Sequence, residues 1–214
     1  ADRLATLIAH WMSLGFVHGV MNTDNMALSG ETIDYGPCAF IDHFNPAAVF
    51  SSIDKQGRYA FGNQPVIAQW NLARLAESIL TARTAGEEAS EAAIAPLAAV
   101  VSDFMARFDA AFMARMAGKL GLIAPDPDLI RALWAAMAGQ NVDFTGFFRA
   151  LSDDVRGQAG AGAAYFTDAQ VFESWASGWR AALATEGRDP AAVAAAMDAV
   201  NPLYIPRNHK IEET

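Results

Sequence analysis

Apolar residues stand at Leu4, Leu7, Ile8, Trp11 and Met12, the spacing of one helix face, and Gly15 closes the stripe. This pattern predicts an amphipathic helix over residues 2–15. The stretch from Gly15 to Gly36 that follows is polar and punctuated by glycine. Within it, Met26-Ala27-Leu28 and Thr32-Ile33-Asp34-Tyr35 read as short strands around Ser29-Gly30-Glu31, a tight hairpin turn. Residues 40–63 follow no period and contain Asn45-Pro46, Lys55-Gln56-Gly57-Arg58 and Gly62-Asn63, which predicts a long irregular excursion.

From Gln64 the helical period takes over. Asn63 or Gln64 is placed to cap a helix with Pro65 in its first turn, running to about Leu80 with Trp70 and Leu75 buried. An alanine-rich helical region over 87–118 follows, with a break expected near Pro96 and with Phe104, Phe108, Phe112 and Met116 as core. Asp126-Pro127 opens a helix that ends at Gly139, and residues 143–151 form a short apolar helix. Gly157 to Gly162 form a loop, and helices near 168–184 and 189–199 complete the chain. The expectation is one mainly α domain over 1–214 with a small β-hairpin near its start. Residues 1–62 would carry the chemistry and 63–214 a helical bundle.

The 214 residues are 53% hydrophobic and 18% charged, enough apolar material for a sizeable core. The net charge of −9 offers no general field for a polyanion, so no nucleic-acid partner is expected. The single cysteine, Cys38, cannot close an internal disulfide, which fits a reducing, cytoplasmic setting. No apolar run reaches membrane-spanning length and no signal peptide is visible, so no membrane partner is expected. The helical stripe is already under way at Ala1-Asp2-Arg3-Leu4, which suggests a portion of a longer protein.

The segment that bears on chemistry is His18-Gly19-Val20-Met21-Asn22-Thr23-Asp24-Asn25-Met26 with Thr32-Ile33-Asp34-Tyr35-Gly36. A hairpin folds its ends together, so Asp34 can approach Asn25 across the turn. A hard divalent cation such as Mg²⁺ needs only one or two protein oxygens, with waters and phosphates completing its shell. Asn25 and Asp34 supply such oxygens and leave Asp24 free as a base. Asp, Asn, Ser and Gly are also the ordinary residues of solvated turns, and spacing alone leaves both uses open. Cys38 suits a small half-buried filler, and His18 a satisfied structural histidine.

The protein-kinase pattern H-R-D-L-x-x-x-N followed by D-F-G narrows the choice. With His18 on its histidine, Asn25 falls on the metal-binding asparagine and Asp34-Tyr35-Gly36 stands where D-F-G is expected. The position of the kinase base holds Val20, which cannot take a proton. The nearby carboxylate that can substitute is Asp24.

The run Gly15-Phe16-Val17-His18-Gly19-Val20-Met21-Asn22-Thr23-Asp24-Asn25-Met26, with Thr32-Ile33-Asp34-Tyr35-Gly36-Pro37, closely resembles the selenoprotein O (SelO/YdiU) family. The resemblance continues in Asn63-Gln64-Pro65, in Trp70-Asn71-Leu72-Ala73-Arg74-Leu75, and in Asn201-Pro202 and Ile205-Pro206-Arg207-Asn208-His209. It implies the C-terminal lobe of a kinase-like fold and a protein adenylyltransferase that moves AMP from ATP to Ser, Thr or Tyr hydroxyls. By the same resemblance Asp24 is the general base, Asn25 and Asp34 hold Mg²⁺ (or Mn²⁺), and Asp34 lies near the nucleotide phosphates. The polar residues of Asn63-Gln64-Pro65 and Trp70–Leu75 are candidates to buttress this site, and Arg207-Asn208-His209 to form a C-terminal clamp or a surface tail.

No G-x-G-x-x-G or G-x-x-x-x-G-K-[ST] motif occurs in the sequence, and no cysteine or selenocysteine motif precedes Thr214. The expectation is that the nucleotide-gripping N-terminal lobe is absent here. The chain alone would then bind ATP feebly and leave apolar surface open to self-association. Two alternatives stand beside transfer of AMP: a divergent protein phosphotransferase, and a helical interaction module that keeps the fold without catalysis.

Overall fold

The computed structural model describes residues 1–84 and 88–213. Helix α1 spans Asp2–Leu14 and is followed by strand β1 (Phe16–Val17), which forms a two-stranded sheet with β2 (Ala39–Phe40). The later helices are α2 (Gln64–Thr84), α3 (Glu91–Ser102), α4 (Phe104–Lys119), α5 (Pro127–Met137), α6 (Phe144–Val155), α7 (Ala169–Glu186), α8 (Pro190–Val200) and α9 (Asn208–Glu212). The chain is therefore mainly helical with a small sheet. Among the described residues no helix is long and apolar enough to cross a membrane.

Helix boundaries follow from side-chain chemistry. Asp126, Asp143, Asp168 and Asp189 each accept a hydrogen bond from a backbone N–H in the first turn of α5, α6, α7 and α8. Pro127 and Pro190 sit where a missing N–H costs nothing.

Two expectations about the helices need correcting. Pro96 lies inside α3 and does not break it; the interruption comes at Asp103, before α4. Pro96 is only five residues past Glu91, so it deprives a single early carbonyl of its donor. The expected start of this region at residue 87 lies outside the described residues. Trp70, expected in the core, is 41% exposed. It lies under two guanidinium groups, with the carbon of Arg58 at 4.6 Å and that of Arg74 at 5.2 Å from its ring centre.

The predicted hairpin is also shorter than its sequence suggests. Around the turn, Ala27 N–H donates to Glu31 O at 2.9 Å and Met26 bridges Thr32, but no named strand forms. Asp34, in the left-handed region with φ of 60°, bends the chain away before a ladder can grow. Gly30 closes the turn at φ of 82°, and a Cβ there would meet the Cβ of Arg3 at 2.3 Å.

The chain forms two compact units. The first comprises 1–12, 17–38 and 46–112. Its core includes Ile8, Trp11, Met21, Phe61, Ile67 and Phe104, and α2 is tied to α3 where Gln69 Nε2 donates to Val101 O at 3.0 Å. The second comprises 13–16, 39–45 and 113–214. Here Phe144, Phe147, Phe148, Phe172, Trp175 and Trp179 are buried together. Trp175 and Trp179 stack at 5.5 Å, and the Trp179 indole N–H donates to Leu120 O at 2.8 Å. Arg207 pairs with Asp42 and, at 3.2 Å, with Asp143, so the C-terminal segment clamps onto this unit.

Candidate active site

The segment from His18 to Gly36 lies wholly within the first unit, and its backbone is held by buried polar side chains. His18 is fully buried between Trp11 and Tyr35, whose ring centres lie 5.6 and 5.4 Å away. Its Nδ1 accepts from Val20 N–H at 3.3 Å, so Nε2 carries the proton. That N–H faces Ile33 O at 3.1 Å and Thr32 Oγ1 at 2.8 Å. Burial holds the imidazole below its usual range, against the opposing pull of the Ile33 carbonyl and Asp34. The histidine is therefore neutral at pH 7. It acts as a fixed strut between the Val20 backbone and the hairpin.

The same network orients Asn25. Its Nδ2 donates to Val20 O at 2.9 Å, and its backbone carbonyl accepts from Thr32 Oγ1 at 2.7 Å and Ile33 N–H at 3.1 Å. With the amide nitrogen committed, Oδ1 is the end left to meet a ligand, and the residue is 6% exposed. Asp34 follows Ile33 directly, so the hairpin sets its backbone one residue from the Asn25 carbonyl. Asp24 and Asp34 are both exposed to solvent, on either side of the buried Asn25 and Thr32.

This donor set suits a hard cation that brings most of its own ligands. Among the described residues no group of three His, Cys, Asp or Glu side chains converges, so a protein-only cage of the zinc kind is not built. One carboxylate with one preset amide oxygen is what Mg²⁺ takes when phosphates and waters supply the rest.

The helical segment expected to buttress the site supplies two supporting side chains, and a third, Tyr59, carries no sequence signal. Gln64 Oε1 accepts from His18 N–H at 3.1 Å, and Asn71 Nδ2 donates to Met21 O at 3.0 Å. Both come from α2, so the polar residues of that helix pin the loop backbone ahead of Asp24. The Tyr59 hydroxyl donates to Asn22 Oδ1, linking the irregular 46–63 segment to the same loop. No spacing signal marks these contacts, because they join residues 37 to 50 positions apart.

Thr32 offers a direct test of the network. Thr32→Val keeps the β-branched shape but removes the hydroxyl shared by His18 and Asn25. We expect a loss of roughly 1–2 kcal/mol in urea unfolding, as for other buried hydrogen bonds. A change within about 0.3 kcal/mol, an ordinary surface effect, would contradict the strut.

Comparison with known proteins gives a consistent result. The family model of the protein adenylyltransferase SelO matches residues 1–214. A protein nucleotidyltransferase YdiU of Rhodopseudomonas palustris (strain BisB5) is 51% identical over 215 residues, covering 98% of this chain and 43% of the relative. The YdiU of Rhodococcus jostii (strain RHA1) is also 51% identical, over 99% of this chain and 41% of its own length. That of Rhizobium leguminosarum bv. trifolii (strain WSM2304) is 47% identical over 100% of the chain and 43% of the relative. The chain thus spans somewhat under half the length of these relatives.

Proposed function

Because this chain belongs to the SelO family of protein adenylyltransferases, we propose that it carries the catalytic loop and metal cradle for moving AMP from ATP to a Ser, Thr or Tyr hydroxyl of a protein. The observation that supports this reading is the hydrogen bond from Ile33 N–H to Asn25 O, which sets Asp34 one residue from the preset Asn25 across the hairpin, while Val20 stands where a kinase has its base. The order His18, Asn25, Asp34, with α1 before it and α2 beneath it, supports a kinase-like C-terminal lobe.

In this mechanism the acceptor hydroxyl gives its proton to Asp24 as its oxygen attacks the α-phosphorus. The bond from that phosphorus to the bridging oxygen breaks, and pyrophosphate leaves with the electron pair. Asn25 Oδ1 and Asp34 would hold Mg²⁺, which when bound offsets phosphate charge and fixes the geometry of the polyphosphate. Asp24 suits the base because it is exposed and unengaged by the network that immobilises its neighbours. His18 takes no part in proton transfer: its Nε2–H is spent on Ile33 and Thr32.

Peptide mapping by mass spectrometry of acceptor protein incubated with the full-length enzyme, ATP and Mg²⁺ tests the proposal. Adenylyl esters on hydroxyl side chains are expected. Phosphate esters in their place would favour a phosphotransferase, and unmodified acceptor would favour an interaction module.

A further inference from the structure

Trp70 on α2 is half exposed, yet it is covered by Arg58 and Arg74. A guanidinium laid over an indole uses its face for the ring and keeps its N–H donors in plane, free for a carboxylate. Arg74 has such a partner, Glu77 at 2.6 Å. Arg58 has none among the described residues. The adjacent Asp54 carboxylate is taken up by the backbone N–H groups of Arg58 and Tyr59 at 2.9 and 2.8 Å. Among the described residues the Arg58 guanidinium is thus a preset cation that forms no ion pair, on a chain of net charge −9.

Its position relative to the loop is also informative. Trp70 and Arg74 line a cavity of about 650 Å³ whose wall includes Thr23, the neighbour of Asp24. Asn71 lines the same cavity; it is 5% exposed, and its Oδ1 is buried without a hydrogen-bond partner. Tyr59, next to Arg58, is bonded to Asn22. The Tyr59–Asn22 bond and the bond from Asn71 Nδ2 to Met21 O therefore connect this patch to the loop that runs to Asp24.

We propose that Arg58, laid over Trp70, is the docking point for an acidic segment of the acceptor protein, with the cavity beside it receiving a neighbouring side chain. Charge complementarity selects the partner: a carboxylate meets the planar donor edge of Arg58 in bidentate fashion, whereas a basic segment meets repulsion. This deepens the transferase reading and rests on it, since it names the chemistry of the protein that presents the hydroxyl.

The test uses a fluorescent tyrosine peptide flanked by glutamates and its glutamine-flanked counterpart, titrated against the full chain by anisotropy. The acidic peptide is expected to bind about tenfold more tightly, an advantage lost in Arg58→Gln and at high salt. Arg58→Lys, which keeps charge without the planar fork, should lose part of it. Equal affinity for both peptides, or an unchanged preference in R58Q, overturns the proposal. So does displacement of the peptide by inorganic phosphate at equal concentration, which would mark a simple anion site. Transfer of AMP is measured separately with the full-length enzyme. Transfer without acidic preference removes the docking surface alone, while acidic preference without transfer removes the transferase reading and leaves the surface.

Discussion

Asp34→Asn in the full-length enzyme is expected to lower AMP transfer by about a hundred- to a thousandfold, the scale on which a charge-stabilising group acts. Asparagine is the informative replacement because residue 34 sits at φ of 60°, a conformation that Asn tolerates and that strains alanine. The fold should therefore melt as before while the carboxylate contact to the cation is lost. Asp24→Asn is expected to fall by about a hundred- to ten-thousandfold, the usual worth of a general base, with the Mg²⁺ concentration for half-maximal rate unchanged. The two variants separate the roles: Asp34 shifts metal dependence, and Asp24 shifts only the rate. An Asp34→Asn enzyme with full activity would remove Asp34 from the cradle.

The second large effect concerns stability in the other unit. Lys119, the last residue of α4, is 3% exposed. Its Nζ donates to Asn201 Oδ1 at 2.7 Å and lies 4.0 Å from the centre of the Phe148 ring, and Asn201 Nδ2 donates back to Lys119 O at 3.0 Å. Asn201→Ala removes the oxygen that receives this amine and leaves a buried donor and carbonyl unmet, at a cost of roughly 2–4 kcal/mol. Lys119→Met, which fills the same space without a charge, should cost far less.

The lysine also gives stability a pH dependence. Burial lowers its pKa from 10.5 to about 7. Between those values the unfolded chain holds a proton that the folded chain has released, so stability rises with pH across that window. The rise attributable to this group is at most roughly 5 kcal/mol, and below pH 7 the fold bears the full burden of the buried charge. Urea unfolding at pH 7 and pH 10 should show a steeper gain for the wild type than for Lys119→Met. Equal slopes would mean that the amine is not desolvated as its surroundings imply.

Much of this fold is legible in the sequence because its signals are local. Asp126-Pro127 announces a helix start that the structure reproduces with Asp126 as the cap, and the helix expected near 189–199 forms as α8. The Phe104–Met116 ladder reports its own burial through its spacing. What the sequence hides is long-range pairing. Lys119 and Asn201 are 82 residues apart, and a lone lysine at a helix end looks like a solvated one until Asn201 is brought to it. Trp70 misled for the opposite reason: an indole in an amphipathic helix is usually core, but two arginines provide a partner that leaves it in solvent.

The candidate site divides along the same line. Asp24, Asn25 and Asp34 are read from the order of one short segment, since a hairpin needs no distant information. The left-handed bend at Asp34, the Thr32 hydroxyl between His18 and Asn25, and the grip of Gln64 and Asn71 on the loop are tertiary facts.

Transfer of an adenylyl group is what separates the proposed chemistry of this loop from that of a kinase. Incubation of the full-length enzyme and Mg²⁺ with protein substrate and either α- or γ-labelled ATP tests it directly. Protein-bound label is expected from α-labelled ATP, lost in Asp34→Asn, and none from γ-labelled ATP. Label from γ-labelled ATP alone would contradict it.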